Sequence, residues 1–123
     1  MIEEYFLQVE NALREYLNIR SYALSKKIYN SRQGSIGGKI VFENGHSLEF
    51  TEVVDTEQVG KVKYRYHYMD ASQKLILRYD NAPHHPQVAS FPHHKHTIRS
   101  VKASKEPGLQ SVLFEISKRR RKR

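Results

Sequence analysis

Five of the seven histidines lie between residues 78 and 96, in a stretch that reads RYDNAPHHPQVASFPHHKH. Two pairs flanked by proline and one further histidine make up the group: His84, His85, His93, His94 and His96. Imidazole is the side chain whose ordinary pKa lies nearest neutrality, so such a cluster suggests proton transfer, metal binding or a pH switch. The residue types alone leave all three uses open.

One use is metal-independent RNA cleavage, in which the 2′-hydroxyl of a ribose attacks the neighbouring phosphorus. This reaction needs a base and an acid near neutral pKa, and cations that stabilise the charge gathering on the phosphorane. The histidines supply the base and the acid, and Arg65, Arg78 and Lys95 supply the cations. Tyr66 or Tyr79 can stack on a nucleobase or carry a proton. The residue types fit this chemistry best.

A zinc site is the second use, because His93 and His96 with His84 or Asp80 would supply three or four ligands. The chain has no Cys, it has no HExxH pattern, and the nearby lysine and arginine side chains repel a cation. We therefore predict no metal and no other cofactor. The third use is structural, since histidines also hydrogen-bond to carbonyl groups and pack against proline.

The elements that must position these residues begin with the stretch from Lys61 to Met69, where tyrosines alternate with Lys63, Arg65 and His67. Such alternation predicts a strand with one buried face. A second strand, 74–80, follows a predicted loop over residues 70–73. The register implied by that loop consists of Tyr68 with Leu75, Tyr66 with Leu77, Tyr64 with Tyr79, His67 with Ile76, Arg65 with Arg78, and Lys63 with Asp80.

In this register, Arg65 lies opposite Arg78 on the face away from the tyrosines. Like charges that face each other across a sheet are unfavourable by about 0.2–1 kcal/mol. The pair therefore implies either a compensating carboxylate, for which Asp80 is the candidate, or an anionic ligand. The alternative is a solvated outer face with no ligand.

The remaining periodicities predict two helices and further strands. Apolar residues three and four apart predict helices over 2–17 and 109–116. A first strand is predicted over 19–29, and Asn44-Gly45 between KIVFE and HSLEF indicates a hairpin between two more. Two shorter features complete the chain: Gly34, Gly37 and Gly38 indicate a turn or bulge, and 97–102 indicates a last short strand.

The length of 123 residues allows one domain with a real core, which we place at 1–117, followed by a basic tail at 118–123. The tail KRRRKR carries +6 of the net charge of +8, residues 61–117 carry +5, and residues 1–60 carry −3. Such a tail either binds polyanions or is a solvated helix end. No apolar run is long enough to cross a membrane, so we expect a cytoplasmic protein.

Three pieces of the sequence resemble a known family. YRYHYMD, LRYDNAPHHP and FPHHKH are similar to the TumE-type toxins, the toxic partners in a class of type II toxin–antitoxin modules. The resemblance implies a helix followed by a mostly antiparallel sheet, growth inhibition of the host, and an antitoxin with a helix-turn-helix domain. A ribonuclease activity is implied by analogy with other small toxins. The KRRRKR tail is not part of the family pattern.

The resemblance implies a candidate site, to which we assign roles. We assign the base to His67 or His94, the acid to His85 or His96, the orientation of a neighbouring side chain to Asp80, and phosphate binding to the two arginines of the motif. The candidate catalytic residues are His67, Arg65, Arg78, Asp80, His84, His85, His94 and His96. The candidate substrate-binding residues are Tyr66, Tyr79, Asn81, His93, Lys95 and Lys63.

The sequence therefore predicts an α+β fold with an amino-terminal helix, an antiparallel meander of about five or six strands, and a carboxy-terminal helix. The predicted function is that of a toxin that cleaves RNA without a metal and pairs with an antitoxin. Two other functions remain open, namely a non-catalytic nucleic-acid- or ribosome-binding module and a metal-dependent hydrolase. Homodimerisation remains open as well.

Overall fold

The structure, a computed structural model, describes residues 1–121, with side chains up to Arg119. Seven antiparallel strands follow one another in chain order across a single sheet, between two helices. The elements are α1 (Ile2–Glu15), β1 (Ile19–Ile28), β2 (Gln33–Phe42), β3 (Ser47–Asp55), β4 (Lys63–Met69), β5 (Leu75–Asp80), β6 (His94–Thr97), β7 (Val101–Ala103) and α2 (Leu109–Arg121). The predicted α+β fold is confirmed, with seven strands in place of five or six.

Both helices cover the same face of the sheet. In α1 the apolar stripe of Ile2, Phe6, Val9 and Leu13 is buried. The buried residues of α2 recur at the same helical spacing and join the same core: Leu109, Val112, Leu113 and Ile116. Because helical spacing places residues three and four apart on one side, each helix buries one stripe and leaves its other side exposed. Neither described helix is long and apolar enough to cross a membrane.

The tyrosines of β4 form the centre of this core. Tyr64, Tyr66 and Tyr68 are each at most 2% exposed. Phe50 of β3 stacks on Tyr66, with the ring centroids 6.3 Å apart. The alternation predicted from KVKYRYHYM is confirmed: the tyrosines face the core, and the residues between them point to the opposite face of the sheet.

The predicted register between β4 and β5 is wrong by two residues. Arg65 pairs with Asp80, and His67 pairs with Arg78. One residue of the shift arises at the turn, where Asp70 N–H donates to the Lys74 carbonyl and Gln73 has a φ of 64°. The other arises from a bulge beside Tyr68. A three-residue loop closed by a left-handed residue is a common hairpin, and a bulge adds one residue to one strand.

This correction changes the charges but not the faces. A slip of two residues returns every side chain to its predicted side, because strand side chains alternate with a period of two. The like-charged pair predicted for Arg65 and Arg78 is absent from the described ladder, and Arg65 faces a carboxylate instead. The repulsion that suggested a missing anion is therefore not present.

Two other predictions are corrected. Gly34, Gly37 and Gly38 do not form a turn, since all three lie inside β2. A Cβ on Gly38 would lie 2.0 Å from the Ala23 carbonyl oxygen, so glycine permits a close approach of two strands there. The single strand predicted over 97–102 is two strands, β6 and β7, which a tight turn joins.

The predicted tail at 118–123 overlaps the end of α2. The helix runs to Arg121, so Lys118 and Arg119 continue its last turns. Residues 122 and 123 lie outside the described part of the chain. The Lys118 ammonium lies 4.6 Å from the centre of the Phe114 ring.

Candidate functional site

Two rows of side chains cross the face of the sheet that the helices leave uncovered. Arg65 of β4, Asp80 of β5 and His94 of β6 are successive partners in one row. His67, Arg78 and His96 are partners in the other. We call this side the open face and define it by Lys63, Arg65, His67, Arg78, Asp80, His94 and His96. The pairing places side chains from three strands within reach of one another.

The loop between β5 and β6 adds a third imidazole. The His85 ring lies 4.8 Å from that of His94 and 5.2 Å from that of His96, and the last two rings are 4.8 Å apart, centre to centre. One ligand nitrogen from each lies within 4.8 Å of the other two. We call His85, His94 and His96 the imidazole cluster, and among the described residues it is the group suited to holding a metal ion.

Asp80 connects the two rows. One of its carboxylate oxygens lies 2.8 Å from Nε2 of His94, and the other accepts a hydrogen bond from Nε of Arg78 at 3.1 Å. The backbone N–H of Ala82 donates at 3.1 Å to the oxygen that faces His94. Asp80 is 7% exposed, and a buried carboxylate is stable when it is paired and hydrogen-bonded in this way.

His94 is held on both sides. Its Nδ1 lies 2.9 Å from the Pro92 carbonyl oxygen, and its Nε2 faces Asp80. Both neighbours are hydrogen-bond acceptors, and together they fix the orientation of the ring. The residue is 2% exposed, and this burial does not suit the base role predicted for it. His94 is positioned to orient the residues around it.

His96 presents a nitrogen without a proton. Nη2 of Arg78 lies 3.1 Å from Nε2 of His96, and arginine only donates, so Nε2 accepts. Burial lowers the pKa of His96 from its ordinary value, and the charge of Arg78 lowers this pKa further. A neutral imidazole is the form that a general base requires.

His67 also accepts from an arginine, since Nη2 of Arg65 lies 3.1 Å from its Nδ1. Its Nε2 is buried and has no hydrogen-bond partner among the described residues. Burial lowers the pKa of His67, and Arg65 and Arg78 lower it further. With one nitrogen bonded and the other buried, His67 does not present a free nitrogen to a substrate.

Three predicted substrate-binding residues lie on the helix-covered face instead. Tyr66 is fully buried and donates to Glu52. Tyr79 donates to Glu115 of α2, and Lys95 contacts the same carboxylate at 2.6 Å. Burial raises the pKa of Tyr66, and so does Glu52. These side chains are structural, and Tyr66 is not available for stacking on a base.

The other predicted residues are dispersed. His93 stacks on Tyr64 with ring centroids 5.7 Å apart and contacts its hydroxyl at 2.8 Å. Asn81 accepts from the Tyr64 N–H and donates to the Val62 carbonyl, which fixes the end of β5. His84 is exposed and makes no ring contact with the imidazole cluster in the described structure. Lys63 is exposed on the open face.

Sequence reasoning missed a groove that adjoins this site. It has a volume of about 440 Å³, and Lys39, Glu49, Thr51 and Arg65 are among the residues that line it. Thr51 pairs with Arg65, and Glu49 pairs with His67, so the groove continues the two rows into β3. The predicted hairpin did not reveal it, because a two-residue turn at Asn44-Gly45 places Lys39 opposite Phe50. The observed loop has three residues, 43–45, and Lys39 pairs with Glu49.

Comparison with known proteins gives one match. The sequence model of a family described as Toxin TumE matches residues 5–120. Neither the curated proteins nor the solved structures gave a match. The matched region includes the whole open face and the loop that carries His85.

Proposed function

This chain belongs to the TumE toxin family, and we propose that it is the toxin of a toxin–antitoxin pair that acts as a metal-independent endoribonuclease. The observation that supports this proposal is a contact between two partly exposed imidazole rings, those of His85 and His96, next to Arg78 on the open face. RNA cleavage through the 2′-hydroxyl requires two proton-transfer groups and a cation around one phosphate. The open face combines these groups.

His96 acts as the base and His85 as the acid. The substrate phosphate draws the Arg78 guanidinium away from Nε2 of His96, because a guanidinium binds an anionic phosphate more strongly than a neutral imidazole. The freed nitrogen then accepts the proton of the 2′-hydroxyl. Asp80 and His94 hold Arg78 and the neighbouring rings in position through the contacts at 3.1 and 2.8 Å.

The reaction balances without an added reactant. The bond between O2′ and phosphorus forms as His96 takes the proton from O2′. The bond between phosphorus and O5′ breaks as His85 gives a proton to O5′. Arg78 and Arg65 stabilise the negative charge on the phosphorane oxygens. The products are a 2′,3′-cyclic phosphate and a 5′-hydroxyl, and the two histidines end with exchanged protonation states.

The groove next to Arg65 accommodates the RNA strand that continues from the cleaved phosphate. Lys39 in its lining supplies a second cation. A strand of RNA that runs from His96 to Lys39 would follow the row of Arg78 and His67 and pass beside Arg65. Successive phosphates bound by separate cations are the usual basis of nucleic-acid affinity.

The family also implies an antitoxin as partner. We propose that a helix-turn-helix antitoxin neutralises the toxin by covering the open face. Such a partner would contact Arg65 and Arg78, so alanine at both positions should weaken the complex as well as toxicity. If both complex formation and toxicity were unchanged in this double variant, the open face would lose its assigned role.

The test is incubation of the purified protein with labelled single-stranded RNA and with transfer RNA in excess EDTA, followed by analysis of the product ends. We expect 2′,3′-cyclic phosphates from the wild type and at least a hundredfold slower cleavage by His96→Ala. His46→Gln is the matched control, since His46 contacts Tyr68 at 2.7 Å, away from the imidazole cluster. RNA binding without cleavage would show a binding toxin instead.

A further inference from the structure

We propose that the imidazole cluster of His85, His94 and His96 binds one divalent transition-metal ion such as Zn²⁺, with Asp80 as the fourth ligand. This site goes beyond the proposed function, which uses no metal. The motivating observation is geometric, since three imidazoles from a loop and a strand place one nitrogen each within 4.8 Å of the others. Imidazole nitrogen is a preferred ligand of zinc, copper and nickel.

The approach needed to close the site is small. Two nitrogens on one tetrahedral zinc ion lie about 3.3 Å apart, given Zn–N distances of about 2.0–2.1 Å. His94 and His96 are fixed on β6, whereas His85 lies in the loop between β5 and β6 and is only half-buried. Because the three nitrogens lie within 4.8 Å of one another, movements of about 1–2 Å, by the His85 loop and by rotation of the His94 and His96 rings, would bring them to this spacing.

The surroundings of His94 resemble those of a metal ligand. Metal-bound histidines usually donate their second N–H to a carbonyl or a carboxylate, which fixes the ring. The Nδ1 of His94 already lies 2.9 Å from the Pro92 carbonyl oxygen. Its Nε2 lies 2.8 Å from Asp80, so an ion bound by both groups would replace this contact.

The positively charged side chains near the imidazole cluster repel a cation less than the sequence suggests. Lys95, which lies between two of the ligands in the sequence, is on the opposite face and contacts Glu115 at 2.6 Å. Arg78 is paired with Asp80 at 3.1 Å. Among the described residues, the cation that must move is Arg78, whose Nη2 donates a hydrogen bond to Nε2 of His96.

The displacement of Arg78 links metal binding to RNA cleavage. The ion would occupy the nitrogens of His85 and His96 through which the proposed proton transfers pass, and it would release Arg78 from its contacts with Asp80 and His96. Zn²⁺ is therefore expected to inhibit RNA cleavage and EDTA to restore it. This consequence rests on the proposed function, whereas metal binding does not.

The test uses the full, untagged chain after treatment with a chelator. Isothermal titration with ZnCl₂ should show one ion per chain. Affinity should fall at least tenfold in both His85→Ala and His96→Ala. His84→Ala is the matched control for binding, because its imidazole is adjacent in sequence but makes no contact with the cluster rings in the described structure, and it should bind Zn²⁺ as the wild type does.

The outcomes separate the two proposals. Absence of a saturable site, or equal affinity in His84→Ala and His85→Ala, would overturn the metal site whatever the nuclease assay shows. Zinc binding with no cleavage in EDTA would support the site and overturn the nuclease. Cleavage that occurs only with added metal would support the site and replace the acid–base mechanism. Cleavage unchanged at saturating Zn²⁺ would overturn the proposed inhibition.

Discussion

The carboxylate of Asp80 lies 2.8 Å from Nε2 of His94, and both side chains are at least nine-tenths buried. Both groups are largely shielded from solvent, and Asp80 also bonds to Arg78 and lies 3.8 Å from Nε2 of His96. The pair is thus a buried support beneath the partly exposed His85, His96 and Arg78. Four predictions follow from this arrangement and from the open face around it.

Asp80→Asn should destabilise the protein by about 1–3 kcal/mol, because the amide satisfies fewer of the buried donors that face this position. Urea denaturation of wild type and variant measures the difference. Cleavage should also slow, since Arg78 and His94 lose the group that orients them. A variant with unchanged stability and unchanged rate would contradict the supporting role of Asp80.

The cleavage rate should decrease at acidic pH with a midpoint below pH 6.5, the ordinary pKa of histidine. The reason is that burial and the charge of Arg78 lower the pKa of His96. Asp80 opposes this shift, while His94 and His85 add to it. Removing the cation in Arg78→Gln should move the midpoint to higher pH and also reduce the rate. The midpoint is measured from kcat/KM, which reports the free enzyme, over pH 4.5–8.5 in half-unit steps.

Arg99→Gln provides the control for this profile, since Arg99 is an exposed arginine in the turn between β6 and β7. It removes the same charge without touching the open face. The midpoint should therefore stay where it is in the wild type. Equal shifts in both variants would point to a general effect of net charge on the profile.

Folding stability should decrease as the pH falls below about 6.5. Burial and the two nearby arginines lower the pKa of His67 in the folded protein. Below pH 6.5 the unfolded chain therefore binds a proton at this residue more readily than the folded protein does. Stability thus rises with pH in the window below 6.5, with a slope of at most about 1.4 kcal/mol per pH unit for one histidine. Stability above pH 7.5 should not depend on this residue's titration.

His67→Gln tests this contribution directly. It removes the titrating group and should flatten the pH dependence of the urea midpoint between pH 5 and 6.5, compared with the wild type. A slope that is identical in wild type and His67→Gln would rule out the contribution.

Lys39→Gln should raise the KM for RNA about three- to tenfold and leave kcat nearly unchanged. Lys39 lines the groove beside Arg65 and would bind a phosphate remote from the reacting one, so its loss removes uniform binding. The salt dependence of RNA affinity should become shallower by about one counterion. Lys102→Gln, on exposed β7, is the control for charge alone.

Much of the fold could be predicted from periodicity, and the failures have physical causes. The alternation of β4 predicted both faces correctly because one face is uniformly aromatic. The register with β5 was missed because it depends on the left-handed Gln73 and on a bulge near Tyr68, which leave no clear pattern. Gly37 and Gly38 were misread because the close approach they permit is to a neighbouring strand.

The candidate site was predicted in part for the same reasons. Arg65, Arg78 and Asp80 follow from alternation alone. Lys95 and His93 were placed in the site with His94 and His96 because the last strand was predicted to begin only at residue 97. In fact His94 and His96 lie on strand β6, so Lys95 between them must point to the helices. Short strands that depend on a distant partner have little local signal.

The alternation along β5 also constrains which changes in length the gene can tolerate. Leu77 and Tyr79 face the helices while Arg78 and Asp80 face outward. Inserting or deleting one codon within this strand would exchange the two sets, burying the charges and exposing the apolar residues in a single event. A two-codon change would preserve the faces. Natural variation in length should therefore avoid this strand.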